Sequence, residues 1–291
     1  MNKRNSISKI FTAAVTTGVV FSAGATYADI TTGLVLDWSM NQSTGTTVVN
    51  SAPGGSSADN GTVNNASDTA WVPGAPGGGY ALQLNTTGGA AYSGYVSTAG
   101  SSDVALATYT LSCWMNLDFV PSSSNSQNPG LFNSRFNGGH TDIQIENGKS
   151  STAGYSPGVH ADIGSSSGYI TTGADAAYQF YPDKWYLITY AVQTGSVDIY
   201  INGVSVETYA TTSTAPLLEN GGFNVGNGAG SGQQVCLPAA IANFTIYNRV
   251  LSSSDVAQLY NSAIPEPTSL ALVVAAGAGL LLRRHRRCAR F

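Results

Sequence analysis

Residues 109–119 read YTLSCWMNLDF, and two kinds of side chain alternate through them without a break. Tyr109, Leu111, Cys113, Met115, Leu117 and Phe119 form one set; Thr110, Ser112, Trp114, Asn116 and Asp118 form the other. Successive side chains of an extended chain point to opposite faces, so this period of two marks a strand with one face on a core. The pattern recurs. In GLVLDWSMN, Leu34, Leu36, Trp38 and Met40 share one face. The segment KWYLITYAV (184–192) is apolar on both faces, as a central strand is. In VDIYINGVSVETY (197–209), Asn202-Gly203 separates two alternating runs. Both residues of such a pair accept positive φ, which a type I′ turn needs to match the twist of its strands, so this segment is a hairpin.

One helix stands out in the body. SSSDVAQLYN (252–261) has serines for an N-cap and Asp255 in the first turn, with Val256, Leu259 and Tyr260 left to face a sheet. Stretches 121–130 and 147–157 are rich in Pro, Gly, Ser and Asn and are expected to be loops. Neither an internal repeat nor a long interior linker divides the chain. Many short strands with one terminal helix predict an all-β sandwich of two antiparallel sheets over residues 29–263.

The two ends read as addresses. Lys3, Arg4 and Lys9 precede an apolar stretch, and small residues lead to Thr26-Tyr27-Ala28. This is the build of a secretory signal peptide over 1–28, cleaved after Ala28. At the other end, residues 269–282 carry no charge and Arg283, Arg284, Arg286, Arg287 and Arg290 follow. Fourteen helical residues rise about 21 Å, against a hydrocarbon core of about 30 Å, so insertion needs local thinning and arginines that snorkel. By the positive-inside rule the tail stays in the cytoplasm and the body lies outside. Pro265-Glu266-Pro267, a hydrophobic helix and an Arg cluster, in that order, resemble the PEP-CTERM sorting signal of Gram-negative bacteria. The resemblance covers residues 264–291 and implies processing near the tripeptide by an exosortase-type membrane peptidase. It also implies an outer-surface or matrix location and at least transient anchoring in the inner membrane. A plain anchor, with Pro265 and Pro267 ending the last element, is the alternative.

The net charge of −4 hides an asymmetry. Within residues 29–264 there are 15 acidic and only four basic residues, Arg135, Lys149, Lys184 and Arg249, so the body stands near −11. Such a surface repels a phosphate backbone, which excludes nucleic acid as a partner. Of the three cysteines, Cys288 lies in the tail; the oxidising compartment permits a Cys113–Cys236 bridge, and two separate buried thiols are the alternative.

The order of elements in the body is also familiar. GLVLDWSMNQSTGTTVVNSAPGGSSADNGTV (33–63), YALQLN (80–85), YTLSCWMN (109–116), DKWYLITYAVQTGSVDIYINGVSV (183–206) and IANFTIYNRVLSSSDVAQLY (241–260) resemble the LamG-like jelly roll of the concanavalin A-like lectin/glucanase group. The resemblance implies two curved sheets over one core, with the chain ends close together. It implies no single activity, because this fold hosts lectins, adhesion modules, hydrolases and spacers.

Catalysis has one candidate. In HTDIQIENG (140–148), Asp142, Gln144 and Glu146 share one face of a strand. Laminarinase-type hydrolases of this fold group carry Glu-x-Asp-x-Glu there. Retaining chemistry needs two carboxyls about 5–5.5 Å apart. Asp142 is one methylene shorter than the glutamate expected of a nucleophile, and Gln144 replaces the central acid; misplacement on that scale costs about 100-fold. The other reading is a wetted polar face. Neither a G-x-S-x-G elbow nor a phosphate-binding loop occurs. Where LamG-like chains often carry acidic pairs, this one has Asn41-Gln42 and Ala242-Asn243, so Ca²⁺ is not supported there; Asp59-Asn60-Gly61 offers loop oxygens or is simply a solvated turn. His140 and His160 show no ligand spacing. No cofactor is expected.

Sugar binding is the remaining chemistry: aromatic rings against pyranose faces, with amides and carboxylates on the hydroxyls. Trp71, Tyr92, Tyr95, Tyr155, Tyr169 and Tyr181 are aromatics that the strand pattern places in loops, and FNSRFNGGHTD supplies Asn133, Arg135, Asn137, His140 and Asp142. Trp38, Trp114 and Trp185 are assigned to the core. The expected function is that of an exported, non-catalytic surface module that binds carbohydrate such as extracellular polysaccharide. A structural or adhesive protein is the alternative, and a laminarinase-like hydrolase the lesser one.

Overall fold

The alternating segments are strands of a two-sheet sandwich in the computed structural model, which describes residues 30–86, 94–122, 128–134, 141–146, 157–165, 168–171, 173–210, 222–227 and 234–263. The leader 1–28, the segment 264–291 with Pro265, Glu266 and Pro267, and Tyr92, Arg135, Asn137, His140 and Tyr155 lie outside the described residues.

Along the chain come β1 (Leu34–Trp38), β2 (Thr47–Val48), β3 (Gly61–Asn64), β4 (Thr69–Pro73), β5 (Tyr80–Leu84) and β6 (Tyr95–Thr98). Next are β7 (Tyr109–Leu117), β8 (Asn128–Asn133), β9 (Asp142–Glu146), β10 (Gly158–Ser165), β11 (Gly168–Thr171) and β12 (Ala176–Ala177). Last are β13 (Trp185–Gln193), β14 (Ser196–Ile201), β15 (Val204–Ala210), β16 (Phe223–Val225), β17 (Gln234–Val235), β18 (Ala239–Tyr247) and helix α1 (Ser253–Ala263). Among the described residues they form an eight-stranded sheet, β15-β14-β13-β7-β18-β5-β4 with β1 also on β18. The ten-stranded sheet runs β11-β10-β9-β8-β16-β6-β3-β2, with β12 on β10 and β17 on β8.

The odd set of β7 faces the space between the sheets: Leu111, Cys113, Met115 and Leu117 are in the main core with Ile188, Ile199, Ile241 and Phe244. Four rings fill its centre. Phe132 lies 5.1 Å from Phe223, and Trp38 lies 5.5 Å from Phe223 and 5.6 Å from Phe244, in tilted arrangements that suit their quadrupoles. Trp38 is fully buried, and its Nε1 donates to Asp59 O at 2.9 Å. The hairpin forms as expected, with φ of 55° at Asn202 and 78° at Gly203. Strand β13 is central and buried on both faces because α1 covers its outer side. Helix α1 is capped reciprocally: Ser252 Oγ accepts from Asp255 N at 3.2 Å, and Asp255 Oδ2 accepts from Ser252 N at 3.1 Å.

Several expectations are corrected. Leu34 leaves the Leu36–Trp38–Met40 face because the register shifts between Leu34 and Leu36, and it packs under α1 instead. Trp114 is buried, but on the helix-covered face, where Tyr260 stacks on it at 5.5 Å. Part of the expected loop 121–130 is the start of β8. Of the two readings of Cys113 and Cys236, the structure matches separate buried thiols and not a bridge. Cys113 lies in the inter-sheet core with Sγ 3.3 Å from Trp114 O, whereas Cys236 belongs to the connection between β17 and β18.

Candidate functional site

The inner face of the ten-stranded sheet is apolar: Val63, Val96, Phe132, Ile143, Ile145, Val159, Ala161, Ile163 and Val225 join the core. Alternation then sends the intervening side chains to the opposite face, and nearly all of them are polar. Cross-strand partners share a face, so the pairings can be followed as a row. Thr47 pairs with Thr62, Thr62 with Ser97, Ser97 with Asn224, Asn224 with Asn133, Asn133 with Asp142, and Asp142 with Asp162. This row crosses seven strands without an apolar member. At about 4.8 Å per strand it spans about 29 Å. Beside it stand Asn64 with Tyr95, and Gln144 with His160.

The middle of the row is shielded from solvent. Asn133 and Asp142 are fully buried, and Gln144 and Asn224 are nearly so. Buried polar atoms need partners. Gln144 Nε2 donates to Asp142 Oδ1 at 3.3 Å, and Asn64 Nδ2 donates to Ser97 Oγ at 2.8 Å. Asn224 Oδ1 is buried with no hydrogen-bond partner among the described residues. Thr62 and Thr47 are exposed at one end, while Asn64, Tyr95 and Ser97 are half-buried beside them.

At the far end His160 bridges two carboxylates. Its Nδ1 lies 2.6 Å from Asp175 Oδ1 and its Nε2 lies 3.4 Å from Asp162 Oδ1. Burial by itself would lower the imidazole pKa. The hydrogen bonds and negative charge of Asp162 and Asp175 outweigh it and raise the value to about 10, so His160 is a cation at neutral pH. Asp162 Oδ1 also accepts from Gly173 N at 3.2 Å.

Asn133, Asp142 and Tyr95, all singled out in the sequence, are therefore brought onto one face. Trp71 is not. It lies on β4 of the other sheet opposite Leu82, its ring packs at the margin of the core, and its Nε1 donates to Gly45 O at 3.0 Å. A strand, rather than a loop, holds it. Of the other aromatics, Tyr181 is exposed, with Lys184 Nζ 5.4 Å from its ring centroid. The sequence reading missed His160, Asp162 and Asn224, although V-H-A-D-I and F-N-V each alternate and carried the signal.

The wetted-face reading of Asp142 and Gln144 is overturned by their burial. Gln144, whose amide neither attacks nor gives up a proton at neutral pH, is the side chain bonded to Asp142. Asp59 is not a solvated turn: it is buried at the end of a short 3₁₀ turn, Oδ2 accepting from Ser101 Oγ at 2.8 Å. Asn41 Oδ1 is likewise taken by Tyr80 N at 2.9 Å. Among the described residues no group of three His, Cys, Asp or Glu side chains is placed to hold a metal ion.

Solved structures share this architecture. Domain 4 of AbnA, a GH43 extracellular arabinanase from Geobacillus stearothermophilus, solved in complex with arabinotriose, superposes with a TM-score of 0.55 at 18% identity, over 79% of this chain and 98% of that one. The binding domain of botulinum neurotoxin DC in complex with SialylT gives 0.55 at 14% identity, over 80% of this chain and 52% of that one. The binding domain of Paraclostridial Mosquitocidal Protein 1 gives 0.55 at 16%, over 79% and 52%. The chain thus spans about half the length of these toxin domains, and at such identities the likeness is one of fold. No curated protein matches the chain in sequence. The family model of the concanavalin A-like lectin/glucanases superfamily matches residues 87–257, more than half of the chain, and the protein belongs to that family.

Proposed function

We propose that this protein is an exported, non-catalytic module that binds carbohydrate along the outer face of its ten-stranded sheet. The solvent-facing end of the polar row, Thr47, Thr62 and Ser97 with Asn64 and Tyr95 beside them, carries this reading, while Asn133 and Asp142 further along are buried and brace the sheet. Hydroxyls and an amide at strand spacing match the repeated hydroxyls of an extended glycan, and Tyr95 supplies a ring beside them. The arabinotriose complex of a domain with this fold supports the ligand class. The row holds Asp142 and Asp162, and its flanking cation His160 is already bonded to two carboxylates. Neutral polysaccharide suits it better than a sulfated or uronate-rich chain.

Residues near the two ends of the described body, Ile30 and Ala263, line the same cavity under α1, on the face opposite the polar row. A chain held at its C-terminus by residues 269–282 presents the row away from the membrane. This fits sorting through Pro265-Glu266-Pro267 to the outer surface of a Gram-negative cell. If Glu266→Ala leaves mature mass and surface release unchanged, the exosortase part of the reading is wrong and a plain anchor stands.

A glycan array with residues 29–264 tests the binding. Retention of neutral glycans, lost in a Ser97→Ala/Asn224→Ala double variant of unchanged circular dichroism, supports the assignment. A folded protein that retains no glycan leaves the structural or adhesive reading.

A further inference from the structure

Helix α1 crosses the outer face of the eight-stranded sheet without sealing it. Val256 is buried and Leu259 and Tyr260 pack down, yet a cavity of about 460 Å³ remains between helix and sheet. Pockets of about 300–1,000 Å³ hold small molecules, and this one is at the small end.

Its floor is unusual for a sheet face under a helix. Asp37 pairs with Thr245, Thr245 with Ser112, and Ser112 with Thr189, a second polar row across four strands where apolar side chains are the rule. Ser112 and Thr189 satisfy each other at 2.8 Å, and Asp37 Oδ2 accepts from Ser51 Oγ at 2.8 Å. The Thr245 hydroxyl bonds to no described residue and lines the cavity. Beside it β18 is forked: residues 239–241 pair with β5, residues 244–247 pair with β1, and a bulge separates them. Asn243 sits in that bulge with a φ of 47°, a left-handed conformation that asparagine adopts more readily than other residues with a Cβ. The bulge places Asn243 on the wall of the cavity, where its Nδ2 makes, among the described residues, only a 3.5 Å contact with Pro76 O. Trp114, Leu187 and Leu34 complete the wall with apolar surface, and Gln258 and Ser262 of α1 add polar atoms above.

We infer that this cavity is a second binding site, for a single neutral sugar ring. The Thr245 hydroxyl and the Asn243 amide bond the ring's hydroxyls, and Trp114 and Leu187 cover its apolar face. Asp37, the one charged lining residue among those described, repels an anionic ligand. The site is independent of the polar row, being on the opposite side of the sandwich.

The test is saturation-transfer difference NMR on the full chain, purified in a detergent without a sugar headgroup. The probes are D-glucose, D-galactose and L-arabinose, with D-glucuronate as the charge control. Neutral sugars are expected to bind and glucuronate not. Thr245→Val removes one hydrogen bond and should weaken binding about fivefold. Ser262→Tyr, at an exposed helix position, should block the cavity without threatening the fold. A Ser97→Ala/Asn224→Ala variant should bind the monosaccharides as before. The inference is overturned if no neutral sugar gives a signal, if glucuronate binds equally, if both cavity variants bind normally, or if the Ser97/Asn224 variant abolishes the signal.

Discussion

Raising the pH should loosen the protein through one side chain. An unfolded histidine titrates near 6.5, and His160 in the fold near 10. Below 6.5 the ring is charged in both states, and the stabilisation from Asp162 and Asp175 is fully present. Above 6.5 unfolding releases the proton, so stability falls by up to about 1.4 kcal/mol per pH unit until the folded ring also titrates. From pH 6.5 to 8.5 the loss is about 2 kcal/mol; the ring is only 22% exposed, so solvent screening removes a minor share. Other groups act later. Burial pushes the Cys113 thiol and the Tyr109 and Tyr190 hydroxyls far up, and their unfolded counterparts ionise only above about 8.5 and 10. Urea unfolding at half-unit steps across this window reads the effect. With a slope of about 2–3 kcal/mol/M, the wild-type midpoint should drop by about 0.7–1 M. His160→Gln should start lower and stay flat. A wild-type midpoint that does not move between pH 6.5 and 8.5, or a variant with the wild-type slope, refutes the bridging role.

Three further outcomes are expected. Phe244→Ala, at the centre of the four-ring cluster, should cost about 3–5 kcal/mol in urea or thermal unfolding. Gly203→Val should destabilise by about 1–3 kcal/mol, because φ is 78° and a Cβ would meet Tyr260 Cβ at 3.0 Å; the same measurement on Val204→Thr, an exposed neighbour, should show a shift within about 0.5 kcal/mol. Cys113, buried with its thiol pKa raised, should resist iodoacetamide in the native protein at pH 8 and react only in denaturant, as peptide mass mapping would show.

Periodicity is a local property, and so the strands were readable: β7, β13, the Asn202-Gly203 hairpin and α1 each announced themselves within about ten residues. So did the two halves of the candidate site that are close in sequence, Asn133 with Asp142 on either side of one connection. What alternation does not state is which strand lies beside which. Thr62, Ser97, Asn224 and Asp142 come from segments far apart, and they line up only because β16 inserts between β6 and β8. Burial is equally non-local. Trp71 looked like a loop aromatic, yet pairing with β5 turns it to the core margin.

By itself, the sequence determined that the chain is an all-β sandwich with one capped helix, acidic in its body and basic at its ends. These follow from side-chain spacing and charge, which need no partner to be expressed. Tertiary structure alone decided that seven strands would carry a common polar row and that Asp142 and Gln144 would be shielded from water. It also decided that His160 would hold its proton between two aspartates, and that a bulge at Asn243 would open a cavity beneath α1. Each of these depends on which distant backbones hydrogen-bond to one another, a choice set by the packing of the whole core rather than by any short stretch of chain.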